Sequence, residues 1–197
     1  MKKSLEIELE KVSGFEKPKI HLEQYVTPPS LASFIAINAR LMGDLVDVLD
    51  LGCGTGMISI ACSLLSARVV GVDIDMSALK IAKKNAEKFG VDIDLIRADI
   101  KSLWLKKRDF TTIMNPPFGI QRRHADRYFI LKAFELSEVI YSIHSAGSER
   151  FIRKVSEEKG FKITHLWRFE IPLKRTYEFH VKEYKQIAVE VYRLVKI

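Results

Sequence analysis

Two hydrophobic periods alternate along the chain. Short apolar runs rich in β-branched residues occur at 46–51, 68–72, 93–98, 110–114 and 139–143, and each reads as a strand. Between them the apolar positions fall at helical spacing. In 77–89, Leu79, Ala82, Ala86 and Phe89 share one face and Gly90 stops the run. After Thr27-Pro28-Pro29, with Thr27 as N-cap and proline in the first turn, Leu31, Phe34, Ile35, Asn38, Leu41 and Met42 form another face. Further helices are predicted at 57–66, 128–138 and 148–159, the last closed by Gly160. Residues 2–12 carry both alternation and helical spacing, and a short helix ending before Gly14 is favoured; 15–25 is an irregular connector. Two strands in succession, 161–169 and 185–195, end the chain, joined by a loop containing Pro172, Lys174, Arg175, Tyr177, Phe179 and His180. The predicted fold class is therefore α/β, a mostly parallel sheet with an antiparallel C-terminal strand.

The 197 residues suffice for one domain with a sizeable core, divided as an N-terminal helical extension (1–45) and a core (46–197). The N-terminus lacks the apolar centre of a signal peptide, and the longest apolar stretch, 57–67, is too short to span a bilayer. A cytoplasmic location with no membrane contact is expected. Cys53 and Cys62 stand outside any metal-ligand spacing, so neither a metal site nor a disulfide is expected. A net charge of +7 reads either as surface solubility or as a polyanionic partner. Its grouping favours the partner. Lys106, Lys107 and Arg108 precede the 110–114 strand, Arg122, Arg123, His124 and Arg127 follow it, and Lys174 and Arg175 form a third group.

The candidate chemistry lies where that strand stops, at Asn115-Pro116-Pro117-Phe118-Gly119. Two prolines remove two donors and fix φ, so Asn115 and Phe118 act from a rigid turn at a strand's carboxyl end, where open α/β sheets bind ligands. The Asn115 amide oxygen and the Pro116 carbonyl are two acceptors for one exocyclic amine, and Phe118 offers a face for a flipped base. Taken alone, the tetrapeptide could equally be a tight turn with an aromatic plug. A nucleotide-binding arrangement precedes it: strand 46–51, then Gly52-Cys53-Gly54-Thr55-Gly56, then a helix. Asp73 falls 21 residues after Gly52, the spacing of a ribose-binding carboxylate, with Ile74 beside it. NAD is the rival ligand. Asp50 at the loop's start suits an amino group, and the loop lacks the Gly-x-Gly-x-x-Gly spacing that seats a pyrophosphate, so S-adenosyl-L-methionine is favoured. Asp99 and Ile100 could meet the adenine of that cofactor, although Asp99 also reads as a helix N-cap. Gln24, Tyr25 and Thr27 could be capping and packing residues only.

Asp-Leu-Gly-Cys-Gly-Thr-Gly at 50–56, Val-Asp-Ile-Asp at 72–75, Asp99 and Asn115-Pro116-Pro117-Phe118 occur in the order found in class I adenine-N6 methyltransferases. Together with 14–19, Leu22-Glu23-Gln24-Tyr25-Val26-Thr27, Tyr141-Ser142-Ile143-His144 and Phe179-His180, the chain resembles the methyltransferase-like-five family over nearly its whole length. Val26 stands where that family usually has proline. The resemblance implies a Rossmann-like, seven-stranded methyltransferase sheet with helices on both faces, and methylation of adenine N6 in small-subunit ribosomal RNA. It implies cofactor contacts from Gln24, Tyr25, Thr27, Asp50, Gly52, Cys53, Gly54, Asp73, Ile74, Asp99, Ile100 and Asn115, and catalysis by Asn115, Pro116, Pro117 and Phe118. RNA contacts are expected from Arg122, Arg123, Arg127, Lys174, Arg175 and His180. A small zinc-binding activator protein is expected to pair with the sheet edge near 92–98. The rivals are a glutamine-N5 methyltransferase, a DNA adenine methyltransferase and a catalytically idle RNA-binding module.

Overall fold

Among the residues described by the computed structural model, namely 2–106, 109–118, 125–174 and 184–197 (backbone only at 125, 172–174, 184 and 185), seven strands form one sheet in the order β3-β2-β1-β4-β5-β7-β6. In chain order the elements are α1 (Lys2–Leu9), a 3₁₀ turn (Ile20–Leu22), α2 (Pro29–Leu41), β1 (Asp47–Leu51), α3 (Met57–Ser63), β2 (Arg68–Asp73), α4 (Met76–Phe89) and β3 (Asp94–Arg97). There follow β4 (Phe110–Met114), α5 (Ala125–Leu136), β5 (Ser137–Ser145), α6 (Glu149–Glu158), β6 (Phe161–Lys174) and β7 (Tyr184–Lys196). β7 inserts antiparallel between β5 and β6, and β6 thereby runs with the other strands. This is the seven-stranded, mostly parallel sheet that the resemblance implied, with helices on both faces. One core gathers residues of α1, α2 and α3 around Val48, Ile113 and Val191. The opposite core gathers α5 and α6 around Leu49, Met114 and Tyr192. Alternate side chains of each strand serve opposite cores, as the pleat requires.

The strand order reverses between β1 and β4, which pair in parallel with Asp50 opposite Ile113. Their carboxyl ends bound the crevice in which such sheets take ligands. The glycine loop after β1 and the Asn-Pro-Pro turn after β4 therefore face one crevice.

Several boundaries differ from the predicted ones for physical reasons. Leu41 is 72% exposed; α2 instead buries Leu31 and Ile35 with the small stripe Ala32, Ala36 and Ala39. The aromatic edge of α2 is Phe34, set edge-on against Trp167 and Phe169. β5 begins at Ser137, inside the predicted helix, because the Ser137 hydroxyl bonds that of Thr112 and draws residue 137 into register with Phe110. β6 runs through Pro172, placed in a loop by the sequence; β6 is an edge strand, where a sheet tolerates proline. Thr27 is not the cap of α2. Pro28 occupies that position without a side-chain cap, and the Thr27 hydroxyl is engaged elsewhere.

Strand direction also revises the basic groups. Lys106 is exposed but precedes β4, at the amino end of the sheet, whereas Asn115 follows β4. A five-residue strand separates the two ends by roughly 17 Å. Lys106 thus lies across the strand from the turn, because proximity in sequence across a strand is distance in space; Lys107 and Arg108 lie outside the described residues. Exposed Arg127, in the first turn of α5, and the end of β6 at Lys174 both lie at the carboxyl end. Arg122, Arg123, Arg175 and His180 lie outside the described residues, as does the Lys174 side chain.

Candidate active site

A cavity of about 480 Å³ opens over the carboxyl ends of β1, β2 and β4. Its floor is the glycine loop. Gly52 and Cys53 donate their backbone N–H groups to the Val72 carbonyl (2.8 and 3.0 Å), tying the loop to β2. At Gly52 (φ +77°) a Cβ would stand 2.9 Å from the Phe129 ring, and at Gly54 (φ +54°) one would stand 2.9 Å from the Phe15 ring. Left-handed backbone and close aromatic walls together demand glycine at both positions. Phe15 and Phe129 were not singled out from the sequence. Phe15 sits in an irregular connector and Phe129 reads there as an ordinary helix residue, so only the tertiary fold gives either a role.

Two carboxylates at the ends of β1 and β2 line the cavity, Asp50 buried and Asp73 half-buried. Asp50 is 1% exposed and accepts from the Ser59 hydroxyl at 2.6 Å. Burial pushes its carboxyl up to about 7, against the Ser59 hydrogen bonds and with help from the charge of Asp73. Burial also raises Asp73, opposed by backbone N–H groups of Asp75 (2.8 Å) and Gly54 (2.9 Å). Two anionic groups at elevated pKa in one pocket favour a cationic ligand over a pyrophosphate. Burial raises the Cys53 thiol well above its ordinary value, so it contributes shape and not nucleophilicity.

The N-terminal connector covers the cavity and is fastened beside Asp73. Lys19 Nζ and Gln24 Nε2 donate to the two oxygens of Asp75 at 2.7 and 2.8 Å, and the Lys19 backbone N–H donates to Gln24 Oε1 at 2.8 Å. Burial acts to raise the Asp75 carboxyl, but hydrogen bonds from Lys19, Gln24 and Ser77 outweigh it and hold it well below the usual range. Gln24 does line the cavity, yet both ends of its amide are already engaged, so it serves as the fastening of the cover. Tyr25, half-buried, and Thr27, buried, follow it along the wall.

On the far side stand Ile74, Asp99 and Ile100, as the sequence grouped them. Asp99 is exposed, and its Oδ1 accepts from the Lys101 backbone N–H at 2.9 Å, closing a turn and capping no helix. Lys101 bridges to α5 by lying 4.2 Å above the Tyr128 ring. Asn115 and Pro117 line the cavity. Pro116 is buried, and Phe118 is half-buried against the α1–α3 core, outside the cavity lining. Asn115 Nδ2 donates to Thr27 Oγ1 at 3.0 Å. Its Oδ1 is buried and has no hydrogen-bond partner among the described residues. An unpaired buried acceptor costs about 1–3 kcal/mol, a cost that a ligand donor would remove.

Comparison with known proteins agrees with this arrangement. Residues 36–137 match the methyltransferase small domain. The chain is 36% identical to rRNA N(6)-adenosine-methyltransferase METTL5 of Danio rerio, over 97% of this chain and 97% of that protein. It is 39% identical to an uncharacterized protein of Methanocaldococcus jannaschii, over 100% and 94% of the two chains. A crystal structure of a candidate RNA methyltransferase from Pyrococcus horikoshii superposes with a TM-score of 0.92 at 43% identity, covering 100% of this chain and 98% of that one. A cavity floored by close-packed glycines, lined by two carboxylates suited to a cation and ending at an orphaned amide oxygen thus belongs to a member of the methyltransferase-like-five family, an S-adenosylmethionine-dependent methyltransferase.

Proposed function

We propose that the protein methylates adenine N6 in small-subunit ribosomal RNA. The observation that carries this reading is the Asn115 amide, whose oxygen is buried, without a partner among the described residues, and held at the switch point beside the cofactor cavity. S-adenosylmethionine, when bound, supplies an electrophilic methyl group on a positively charged sulfur. Asp50 and the Gly52–Gly54 backbone hold its methionine part, Asp73 its ribose, and Asp99 with Ile74 and Ile100 its adenine. Asn115 Oδ1 and the Pro116 carbonyl accept the two N6 hydrogens of the target base. That pair of bonds draws the hydrogens away from the ring plane, so the nitrogen lone pair is less conjugated and more nucleophilic. Phe118 gives the flipped base a stacking partner at the turn. Catalysis is positioning and lone-pair orientation, with no general base: the sulfur would leave with the pair of the broken S–CH₃ bond, and the methylated nitrogen would release its proton to water. The named substrate of the zebrafish relative supports RNA over protein and DNA. The test is methyl transfer to separated small- and large-subunit RNA, DNA and protein, with the product nucleoside identified by mass. Label in N6-methyladenosine from the small-subunit fraction alone is expected; label in glutamine, DNA or the large subunit overturns the reading.

RNA approaches from the carboxyl end of the sheet, where Arg127 is exposed. Arg127→Ala should weaken binding of the RNA and lower the slope of log K against log salt by about 0.7, the value of one phosphate contact on a single strand. An unchanged slope in a filter-binding titration places the backbone elsewhere.

The same reading gives β3 a partner. It is an edge strand, exposed at Asp94 and Arg97 and half-buried at Leu95 and Ile96. Unpaired edge groups invite another strand, and main-chain hydrogen bonds would provide the affinity. A small zinc-binding activator protein adds its strand here. Purification from the native cell should return a complex containing zinc by metal analysis. Recovery of this chain alone, monomeric and fully active on RNA, overturns the partner.

A further inference from the structure

The methyl-transfer reading leaves open what orients the Asn115 amide. Rotated by half a turn, the amide would place Oδ1 on Thr27 and leave Nδ2 buried. The Thr27 hydroxyl can donate as readily as it accepts, so the contact by itself permits either orientation. The two orientations differ in what they strand. As observed, one acceptor lacks a partner among the described residues; rotated, an NH₂ group with two donors would lack both there. The observed orientation strands less, and it leaves the oxygen as the atom on offer to a substrate amine.

Both partners are held rigidly, by the same device. Thr27 precedes Pro28-Pro29, and Asn115 precedes Pro116-Pro117. A residue before proline is confined to extended backbone, and proline itself fixes φ. Two such turns face each other across 88 residues of sequence through one 3.0 Å hydrogen bond. Thr27 is buried and belongs to the cover fastened at Asp75 by Lys19 and Gln24. That cover is contiguous from the carboxylates after β2 to the amide after β4.

We propose that Thr27 is a positioning residue for the methyl-transfer step. Its hydroxyl takes the Asn115 NH₂ group and thereby presents Oδ1 to the adenine amine, so the N-terminal cover sets the catalytic amide as well as closing the cofactor cavity. This inference rests on the reading of Asn115 as the amine acceptor. It assigns Thr27 a role distinct from contact with the cofactor.

The test compares Thr27→Val and Thr27→Ser with the natural chain and with Asn115→Ala, on small-subunit RNA at saturating S-adenosylmethionine. Valine keeps the branched shape and removes the hydroxyl; serine keeps the hydroxyl. Thr27→Val should lower the single-turnover rate about tenfold to a hundredfold, the range set by misplacement of a reacting group, and leave the calorimetric Kd for S-adenosylmethionine within about twofold. Thr27→Ser should restore the rate to within about threefold. Three results overturn the proposal. The first is a natural rate in Thr27→Val while Asn115→Ala is inactive, which leaves the acceptor reading standing and removes Thr27 from it. The second is a Kd for S-adenosylmethionine weakened well beyond twofold with a natural rate once the cofactor saturates, which makes Thr27 a cofactor ligand only. The third is equal loss in the valine and serine variants, which makes the requirement steric. Full activity in Asn115→Ala would instead remove the acceptor reading itself.

Discussion

Asn115→Ala should abolish methyl transfer while leaving fold and cofactor affinity near those of the natural chain. Removing one preorganised polar contact from a reacting group costs about 10²–10³ in rate. Here the lost group also sets the geometry of the amine, so single-turnover rates should fall by at least that factor. Stability should change little. The substitution removes one hydrogen bond, from Nδ2 to Thr27, worth about 1 kcal/mol. It also removes a buried acceptor without a partner, which is a gain of similar size. A residue whose deletion costs activity and not stability is one that the fold keeps for chemistry. Calorimetry with S-adenosylmethionine separates the alternatives: a collapse of cofactor affinity, or retention of more than a tenth of the rate, sinks the assignment.

What could be read from the sequence was what is local. β1, the glycine loop and the carboxylate that ends β2 lie within one βαβ unit, so spacing alone aligned Asp50, Gly52, Gly54 and Asp73 around one cavity. The Asn-Pro-Pro turn was equally legible, because two prolines end a strand whatever surrounds them. The functions set by tertiary contact were not. Gln24 lines the cavity, but its fastening to Asp75, 51 residues away, is a contact that no spacing shows. Thr27 reads as an N-cap because threonine before Pro-Pro fits that role, and only the return of β4 brings it Asn115. Phe15 and Phe129 became cavity walls through contact with glycines distant in sequence. Lys106 misled for a related reason: charge counts carry no strand direction.

The other large effect is expected at Asp50, where stability and binding should move in opposite directions. Burial raises this carboxyl from the ordinary aspartate range to about 7 in the folded chain. A group that holds its proton more tightly when folded is no burden below its unfolded pKa, near 4. As pH rises from about 4 to 7, the unfolded chain releases the proton while the folded chain keeps it, and stability falls. Above 7 the penalty is complete. Three pKa units correspond to about 4 kcal/mol, and partial solvation of the cavity wall makes that an upper figure. Asp50→Asn cannot ionise, and the Ser59 hydroxyl can still donate to its amide oxygen. The variant's ligand-free melting temperature should therefore exceed that of the natural chain at pH 8, and the gap should close as pH falls toward 4. Binding should show the reverse. If Asp50 receives the amino group of S-adenosylmethionine, the natural chain should bind it more tightly as pH rises from 6 to 8, because the anion is what the ammonium needs. Asp50→Asn should lose both the affinity and that pH dependence. A stability gap independent of pH would place the raised pKa elsewhere. Undiminished binding at pH 8 would give the amino group another partner, such as the half-buried Asp73 carboxylate of the same cavity.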